Sequence, residues 1–267
     1  MGKKKYVAYV GTYTHGTSKG IQVYDVDVEK GTLTERSEVE VSNASHLAVS
    51  KNGKYLYSIE DEGVASFSID ENGDLTKINQ AWIGGMRACY VEIDSNDRYL
   101  FLAGFHDGKV TMMRLNEDGS IAGIADGVFH QGVGKSSVEK RMDPRVSCTK
   151  LTPDEKYLCA VDWGLNQIKI YEVDYEEGKL HLYDILRFPF NSAPRRIRFS
   201  KDGKFAYVLE ETTNMVDIYT YDLREGKPVF EKIKTTSVLE KEDSLASGSA
   251  LEFAPDGKYL YVSLDGA

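Results

Sequence analysis

A four-residue phrase recurs along the chain, made of a basic residue, an aromatic residue and two residues that are mostly apolar. Five copies occupy residues 54–57, 98–101, 156–159, 204–207 and 258–261, and residues 5–8 resemble a sixth copy. Successive copies start 49, 44, 58, 48 and 54 residues apart, and each of the five follows a turn such as Asn52-Gly53 or Asp202-Gly203. Recurrence at this spacing means that one structural unit builds the chain, and the nature of that unit decides the fold.

Two further segments keep a fixed place within each repeat. Alternating apolar residues stand upstream of the turn at 46–49, 90–93, 148–151, 196–199 and 250–253. Another alternating segment, which ends in a glycine and an apolar residue, follows downstream. Apolar residues at a period of two indicate β-strands, and Asn-Gly or Asp-Gly turns between them indicate antiparallel pairing. Each complete repeat therefore predicts four antiparallel strands.

One such sheet cannot bury both of its faces alone, so the repeats must stack against one another around an axis. A β-sandwich would give strands without this recurrence of whole phrases. A (β/α)8 barrel would need helical periodicity between the strands, and the sequence has no convincing amphipathic helix. The pattern predicts an all-β fold, a β-propeller with four-stranded antiparallel blades, forming a single domain over residues 1–267.

The strand count predicts an incomplete ring. It gives three strands of a first blade, four full blades from about residue 43 to 237, and two strands of a sixth blade, so about five blades plus a partial sixth. Open blade edges present unpaired backbone groups, which other strands can bind. We expect one of three explanations to hold: the C-terminal region closes the ring, the chain is a truncated larger propeller, or copies of the chain associate through their open edges. The truncated propeller is the simpler interpretation.

Composition excludes several classes of protein. The chain is 41% hydrophobic with a formal net charge of −9, so it can form a packed core, and its acidity disfavours nucleic acid and anionic membranes as partners. No stretch approaches the roughly 18 apolar residues of a membrane-spanning helix. Three cysteines without CxxC spacing indicate reduced thiols. We expect a cytoplasmic protein with no membrane or nucleic-acid partner, no metal and no cofactor.

One position of the repeat carries an exception. Ten residues before the aromatic residue of each phrase stand Ser45, Cys89, Ser147, Arg195 and Ser249. Stacked copies favour like residues at like positions, so the single long cation, Arg195, is predicted to be functional.

Other charged residues lie near the same strand starts, namely Arg87, Arg141, Arg145 and Arg196. If these starts surround one mouth of the channel, the arginines form a basic focus that suits a phosphate or a carboxylate. Alternatively, they pair with the acids in the turns after the second strands, which are Glu60, Asp61, Asp162, Glu210 and Glu211. His46 also starts an inner strand, where either a channel-mouth role or a hydrogen-bonded structural role fits. Trp82 and Trp163 are predicted to fill space between blades.

Several motifs follow one another in an order that resembles a known family. They are Val-Gly-Thr-Tyr-Thr at 10–14, Gly-Ile-Gln-Val-Tyr at 20–24, Leu-Ala-Val-Ser at 47–50, Thr-Pro-Asp-Glu-Lys-Tyr at 152–157 and Pro-Arg at 194–195. These motifs are similar to those of the seven-bladed β-propeller lactonases, which include bacterial 6-phosphogluconolactonases of the propeller type and fungal carboxymuconate-lactonizing enzymes. The resemblance covers the whole chain and implies a family length of about seven blades, so the chain is C-terminally short relative to the family.

The resemblance also implies roles for individual residues. Arg195 matches the family's arginine on the inner strand of blade 5, and Glu211 matches the acidic residue after the next strand. Where the family has a Pro-His-x-His phrase in blade 4, this chain has Arg145 and Ser147 in place of the two histidines. Asp265 occupies the position of an arginine that the family often carries after the second strand of blade 6.

These matches imply a lactonase that acts on an anionic sugar lactone, most closely a 6-phosphogluconolactonase of the pentose phosphate pathway. Arg195 would bind the anion or the oxyanion, and Glu211 would be the acid/base. Arg145 and Arg196 would be anion ligands, and Ser147 and His46 complete the predicted substrate-binding set. The alternative is a non-catalytic propeller that binds an anionic small molecule or a partner protein, because the two blade 4 histidines are replaced.

Overall fold

The computed structural model describes residues 6–132, 143–240 and 245–266, and these residues form β-strands, turns and loops without a helix. No helix among them could therefore cross a membrane. The first sheet contains β1 (Tyr6–Gly11), β2 (Gly20–Asp27) and β3 (Thr32–Glu40). The last contains β20 (Ser247–Phe253) and β21 (Leu260–Asp265).

Four sheets of four strands lie between these two in the sequence. Their strands, in chain order, are β4 (Leu47–Val49), β5 (Tyr55–Glu60), β6 (Gly63–Ile69) and β7 (Leu75–Ala81); β8 (Tyr90–Ile93), β9 (Tyr99–Gly104), β10 (Lys109–Leu115) and β11 (Ile121–Phe129); β12 (Val146–Leu151), β13 (Tyr157–Asp162), β14 (Gln167–Asp174) and β15 (Lys179–Arg187); β16 (Pro194–Phe199), β17 (Phe205–Glu210), β18 (Met215–Arg224) and β19 (Lys227–Ser237). The prediction of an all-β fold with four-stranded antiparallel blades is confirmed.

The chain divides into two compact units. The first runs up to Gly104 and includes Thr111–Gly127, and the second comprises Phe105–Val110 and the residues from Val128 onward. The expectation of one domain over residues 1–267, and that of self-association through open edges, stay predictions.

In the five sheets after the first, the recurring phrase lies at the start of the second strand, and the turn before it has one geometry. In all five turns, the amide of the residue before the basic residue donates to the carbonyl three positions earlier, as from Gly53 to Ser50 at 2.9 Å. The donor residue has a left-handed φ between 55° and 75°. Glycine adopts this φ readily, and the third and fourth sheets accept Asp97 and Glu155 at this position.

The core lies between successive sheets, as expected for stacked blades. In the first unit, Tyr57 and Ile59 of the second sheet pack with Leu100 and Leu102 of the third, and all four are at most 1% exposed. In the second unit, Leu209 of the fifth sheet packs with Leu251 of the last. Burial of these faces against the neighbouring sheet of the same unit gains roughly 25 cal/mol per Å² of apolar surface.

Tyrosines on the strands that carry the recurring phrase also hydrogen-bond a turn of the next sheet. The hydroxyl of Tyr57 donates to the carbonyl of Gly119 at 3.1 Å, and that of Tyr9 donates to the carbonyl of Gly73 at 2.8 Å. In the second unit, the hydroxyl of Tyr157 donates to the carbonyl of Gly226 at 3.1 Å. Each phenol thus satisfies its polar end, which gives these tyrosines a reason to recur. Trp82, in contrast, is 68% exposed, so the prediction that it fills space between blades is wrong.

We expect Gly119→Ala to destabilise the protein more than Gly31→Ala. Both glycines have a left-handed φ, +78° and +64°, so each alanine costs about 1–2 kcal/mol of backbone strain. A Cβ at Gly119 would also lie 2.3 Å from the ring of Tyr55, whereas a Cβ at Gly31 meets nothing within 4 Å. Overpacking should therefore add about 1–3 kcal/mol at Gly119, measured by denaturant unfolding. Equal losses in the two variants would contradict the close packing of the turn on Tyr55.

Candidate functional site

The inner strands of the second unit share a β-bulge at one position of the repeat. The register between the first and second strands slips between Val146 and Cys148, between Pro194 and Arg196, and between Gly248 and Ala250. The bulged residues are Ser147, Arg195 and Ser249, which are the equivalent residues ten positions before the aromatic residue. A bulge leaves its residue outside the ladder and redirects its side chain, which frees Arg195 from the regular strand pattern.

Hydrogen bonds join these three bulges across neighbouring sheets. The hydroxyl of Ser147, which is 4% exposed, donates to the carbonyl of Arg195 at 3.0 Å. The Nε of Arg195 donates to the carbonyl of Ser249 at 3.0 Å. The Nη1 of Arg196 donates to the carbonyl of Ser147 and, at 3.3 Å, to that of Arg195. Ser147 and Arg196 therefore hold the backbone that carries Arg195.

Arg195 forms an ion pair with Glu211, through its Nη1 and the Oε2 of the carboxylate. The indole Nε1 of Trp163 donates to the same carboxylate oxygen at 3.0 Å. Backbone bonds fix Glu211, because its amide donates to the carbonyl of Ala193 at 2.9 Å and its carbonyl accepts from the amide of Gly248 at 3.1 Å. The pair is partly open, with side-chain exposures of 31% for Arg195 and 21% for Glu211.

One terminal nitrogen of Arg195, Nη2, and one carboxylate oxygen of Glu211, Oε1, remain available for a ligand. Within the described parts of the chain, neither the Nη2 of Arg195 nor the Oε1 of Glu211 has a hydrogen-bond partner. Neither atom is enclosed. The pair can therefore offer a donor and an acceptor to a bound molecule while its other two atoms hold each other.

Arg145 lies beside this pair and is held by aromatic rings. Its guanidinium carbon is 5.2 Å from the ring centre of Phe105 and 5.9 Å from that of Trp163, in cation–π geometry. Among residues 6–132, 143–240 and 245–266, no carboxylate pairs with it. Trp163 thus contacts both Arg145 and Glu211.

The repeat explains why Arg145 lacks an acid. Arg87 occupies the same repeat position in the first unit, and there its Nε lies 3.3 Å from the Oδ1 of Asp61. Asp61 follows the second strand of its sheet, six residues after the aromatic residue, and the equivalent residue of the next sheet is Phe105. Because Phe105 replaces the acid, Arg145 faces an aromatic ring and keeps its charge for a ligand.

Sequence reasoning missed Trp163 and Phe105 as parts of the site, and that Trp163 also fills space between blades stays a prediction. A signal was available, because Phe105, Trp163 and Glu211 all stand six residues after the aromatic residue of their phrase. Equivalent residues of stacked copies lie side by side, so the acid at Glu211 should have drawn attention to the aromatic residues at the same position.

The predicted site residues fall into two groups. Arg195, Glu211, Arg145, Arg196 and Ser147 lie in the second unit and are joined by the contacts above. His46 lies in the first unit, where its Nδ1 accepts from the amide of Val91 at 3.3 Å and its ring centre is 4.1 Å from that of Tyr90. Arg141 lies outside the described residues. Across the described ranges, no group of three His, Cys, Asp or Glu residues could hold a metal ion.

The alternative of arginines paired with turn acids holds for Arg87, which pairs with Asp61, and Arg195 itself pairs with the turn acid Glu211. The other turn acids bind different partners. Glu60 lies 3.7 Å from Lys77, Glu210 accepts from the hydroxyl of Thr213, and Asp162 bonds His130.

Asp162 anchors the turn that carries Trp163. Its fully buried carboxylate accepts from the amides of Arg145 and Leu165, both at 2.9 Å, and its Oδ2 lies 2.7 Å from the Nδ1 of His130. Burial lowers the pKa of His130, and this effect outweighs the opposing attraction of Asp162. The Nε2 of His130 is buried without a partner in the described structure, so a second proton there would find no acceptor.

Comparison with known proteins gives a consistent result. Residues 7–266 match the model of the family described as "Lactonase, 7-bladed beta-propeller". A 6-phosphogluconolactonase of Bacillus subtilis is 34% identical over 266 residues, which cover 97% of this chain and 74% of that protein. An uncharacterized protein of Staphylococcus epidermidis is 32% identical over 264 residues, which cover 96% and 75% of the two chains. The solved structure of a periplasmic gluconolactonase of Pseudomonas aeruginosa superposes with a TM-score of 0.88 at 28% identity, over 98% of this chain and 77% of that chain.

We expect stability to fall with acid pH through His130. Its pKa is lower in the folded protein than the usual value of about 6.5, so below that pH the unfolded chain binds more protons. The stabilisation is fully present above about pH 6.5 and is lost as the pH falls towards the folded pKa, by at most about 1.4 kcal/mol per pH unit. Unfolding free energies measured from pH 7.5 to 5 should fall more steeply for the unmodified protein than for His130→Gln. The control is His181→Gln at an exposed position. Parallel curves for the protein and for His130→Gln would contradict this.

Proposed function

The chain belongs to the seven-bladed β-propeller lactonase family, and on this basis we propose that it hydrolyses a sugar lactone. We further propose 6-phosphogluconolactone as the substrate, which is hydrolysed to 6-phosphogluconate. The name of the Bacillus subtilis relative supports this choice. The cytoplasmic location stays a prediction, because another relative is described as periplasmic.

Lactone hydrolysis needs two groups at the reacting carbonyl. A base must take a proton from the attacking water, and a cation or another donor must stabilise the oxyanion that develops on the carbonyl oxygen. Both groups must lie within hydrogen-bond reach of the same carbonyl, so a preformed pair reduces the cost of positioning them.

The observation that carries the proposal is the half-satisfied pair of Arg195 and Glu211. Its Oε2 and Nη1 bind each other, whereas Oε1 and Nη2 have no partner in the described residues. In the proposed reaction, Oε1 takes a proton from water as the water oxygen bonds to the carbonyl carbon, and Nη2 donates to the oxyanion. Collapse of the intermediate breaks the ring C–O bond, and Glu211 returns the proton to the departing oxygen.

The arginines around the pair suit an anionic substituent such as a phosphate. Arg145 has no acid partner in the described structure, and its stacking on Phe105 and Trp163 fixes the guanidinium without using its N–H groups. A guanidinium held in this way keeps its donors for bidentate contact with phosphate oxygens. Arg196 and Ser147 contribute by holding the bulge, and a direct role of His46 in substrate binding stays a prediction.

A second function is favoured by one feature of the site. Arg145 and Ser147 stand where the family phrase has histidines, and the hydroxyl of Ser147 donates to backbone carbonyls. A site with this composition could bind a phosphosugar without hydrolysing it. Tight binding of 6-phosphogluconate, together with no turnover of the lactone above the uncatalysed rate, would establish this alternative and reject the lactonase.

We expect Arg195→Ala to lower kcat/KM for 6-phosphogluconolactone by about 10²- to 10³-fold, as for loss of an oxyanion donor. The measurement is hydrolysis with the uncatalysed rate subtracted. Arg224→Ala removes an exposed arginine of the same unit, which pairs with Glu231 at 2.8 Å, and should leave the rate unchanged. Equal rates for Arg195→Ala and the unmodified protein would refute the proposed role.

We expect Glu211→Gln to lower kcat by about 10²- to 10⁴-fold with a smaller change in KM, because the amide keeps a hydrogen-bond acceptor but cannot take a proton. Glu231→Gln, at an exposed position of the same unit, is the matched control. A variant that lost substrate affinity while keeping kcat would assign Glu211 to binding instead of proton transfer.

A further inference from the structure

A pocket of about 500 Å³ opens in the second unit and shares no residue with the cluster around Arg195. It is formed by the turn and strand at Leu165–Lys169, by β15 with the loop after it, and by two residues that follow β11. Its lining residues are Gln131, Gly132, Leu165, Asn166, Gln167, Lys169, Leu182, Ile185, Arg187, Phe188 and Phe190. A volume of this size suits a small organic molecule.

The floor of the pocket carries two buried polar side chains. Gln167 and Lys169 alternate along β14 with Ile168 and Ile170, so they project to the opposite side of the sheet from these core residues. Gln167 is 7% exposed and Lys169 is 9% exposed. Neither side chain has a hydrogen-bond or ion-pair partner within the described residues, and both line the pocket.

An ammonium in such a place is unusual. Burial lowers the pKa of Lys169, which reflects the cost of keeping its charge away from water. The acid whose charge acts on Lys169 is Asp162, and its oxygens already bond His130 and two backbone amides. The Nζ of Lys169 is not among the fully enclosed side-chain atoms, so it reaches the pocket, where a bound anion would offset the cost of its burial.

The charge of the lining favours an anion as well. Arg187 lies directly opposite Gln167 in the sheet register, and Ile185 lies opposite Lys169, so both face the pocket beside them. The lining residues that the structure describes therefore include two cations and no carboxylate, in a chain whose formal net charge is −9. The amide of Gln167 adds a donor next to the two cations.

The other half of the pocket is apolar. Leu182, Phe188 and Phe190 line it, and Leu182 and Phe190 are 54% and 60% exposed. A small inorganic anion would leave these side chains uncovered. An organic acid with an aromatic or branched body would cover them, and burial of apolar surface adds affinity.

From this geometry we propose that the pocket binds a small carboxylic acid with an apolar body. The carboxylate contacts Lys169 and Arg187, and the body packs on Phe188, Phe190 and Leu182. The proposal does not depend on the lactonase activity, because it rests on residues outside the site around Arg195.

Isothermal titration calorimetry tests the proposal with 3-phenylpropionate as the probe. Two molecules serve as comparisons. The neutral 3-phenylpropanamide has the apolar body but lacks the charge, and inorganic phosphate has the charge but lacks the apolar body. We expect the carboxylate to bind more tightly than either. Lys169→Met should weaken its binding by about tenfold or more, because a charge-assisted hydrogen bond is lost. Lys156→Met removes a charge from an exposed turn of the same sheet and should leave binding unchanged.

The outcomes separate clearly. No binding of 3-phenylpropionate, equal binding of the amide, tighter binding of phosphate, or equal affinity in Lys169→Met would each overturn the proposal. A thermal melt by circular dichroism checks that Lys169→Met is folded. If it is not, Arg187→Gln at the exposed rim decides, because an unchanged affinity in that variant also overturns the proposal.

Discussion

Packing of one sheet on the next is the constraint from which the other features of the structure follow. A blade has two apolar faces, and the buried side chains of one sheet, such as Tyr57 and Ile59, find their contacts in the next. A tyrosine hydroxyl also donates a hydrogen bond to the carbonyl of a turn in the neighbouring sheet. Since the sheets within each unit pack on one another in the same way, strand ends, turns and aromatic residues recur at nearly fixed intervals.

This stacking brings equivalent residues of different repeats together, so a function can arise where one copy departs from the others. Arg195 is the long cation at a position that is otherwise small, and its neighbours at that position, Ser147 and Ser249, hold its backbone and its Nε. The position after the second strand behaves similarly. Asp61 pairs with Arg87 in the first unit, whereas Phe105 leaves Arg145 without an acid in the second. A single difference between repeats therefore decides whether the arginine of the next sheet has a carboxylate partner.

Local electrostatics differ from the overall charge. The chain carries a formal charge of −9, but Arg145 and Lys169 both lack a carboxylate partner in the described structure. Arg145 is held by cation–π contacts, and Lys169 is held in a partly apolar pocket. In both places the protein keeps a positive charge available, which is the property needed to bind an anion inside an acidic protein.

The sequence by itself determined the strands, the turns and the family, because a period of two and recurring turn residues are local properties of the chain. It also singled out Arg195, since a cation among small residues is visible without coordinates. Only the tertiary structure decided that Ser147, Arg195 and Ser249 lie at bulges, that Trp163 joins Arg145 to Glu211, and that Lys169 is buried without a partner. These features depend on which side chains meet across separate strands and loops. A one-residue register slip or the path of a loop changes which side chains meet without changing the alternation of apolar residues, so these contacts could not be predicted from that alternation.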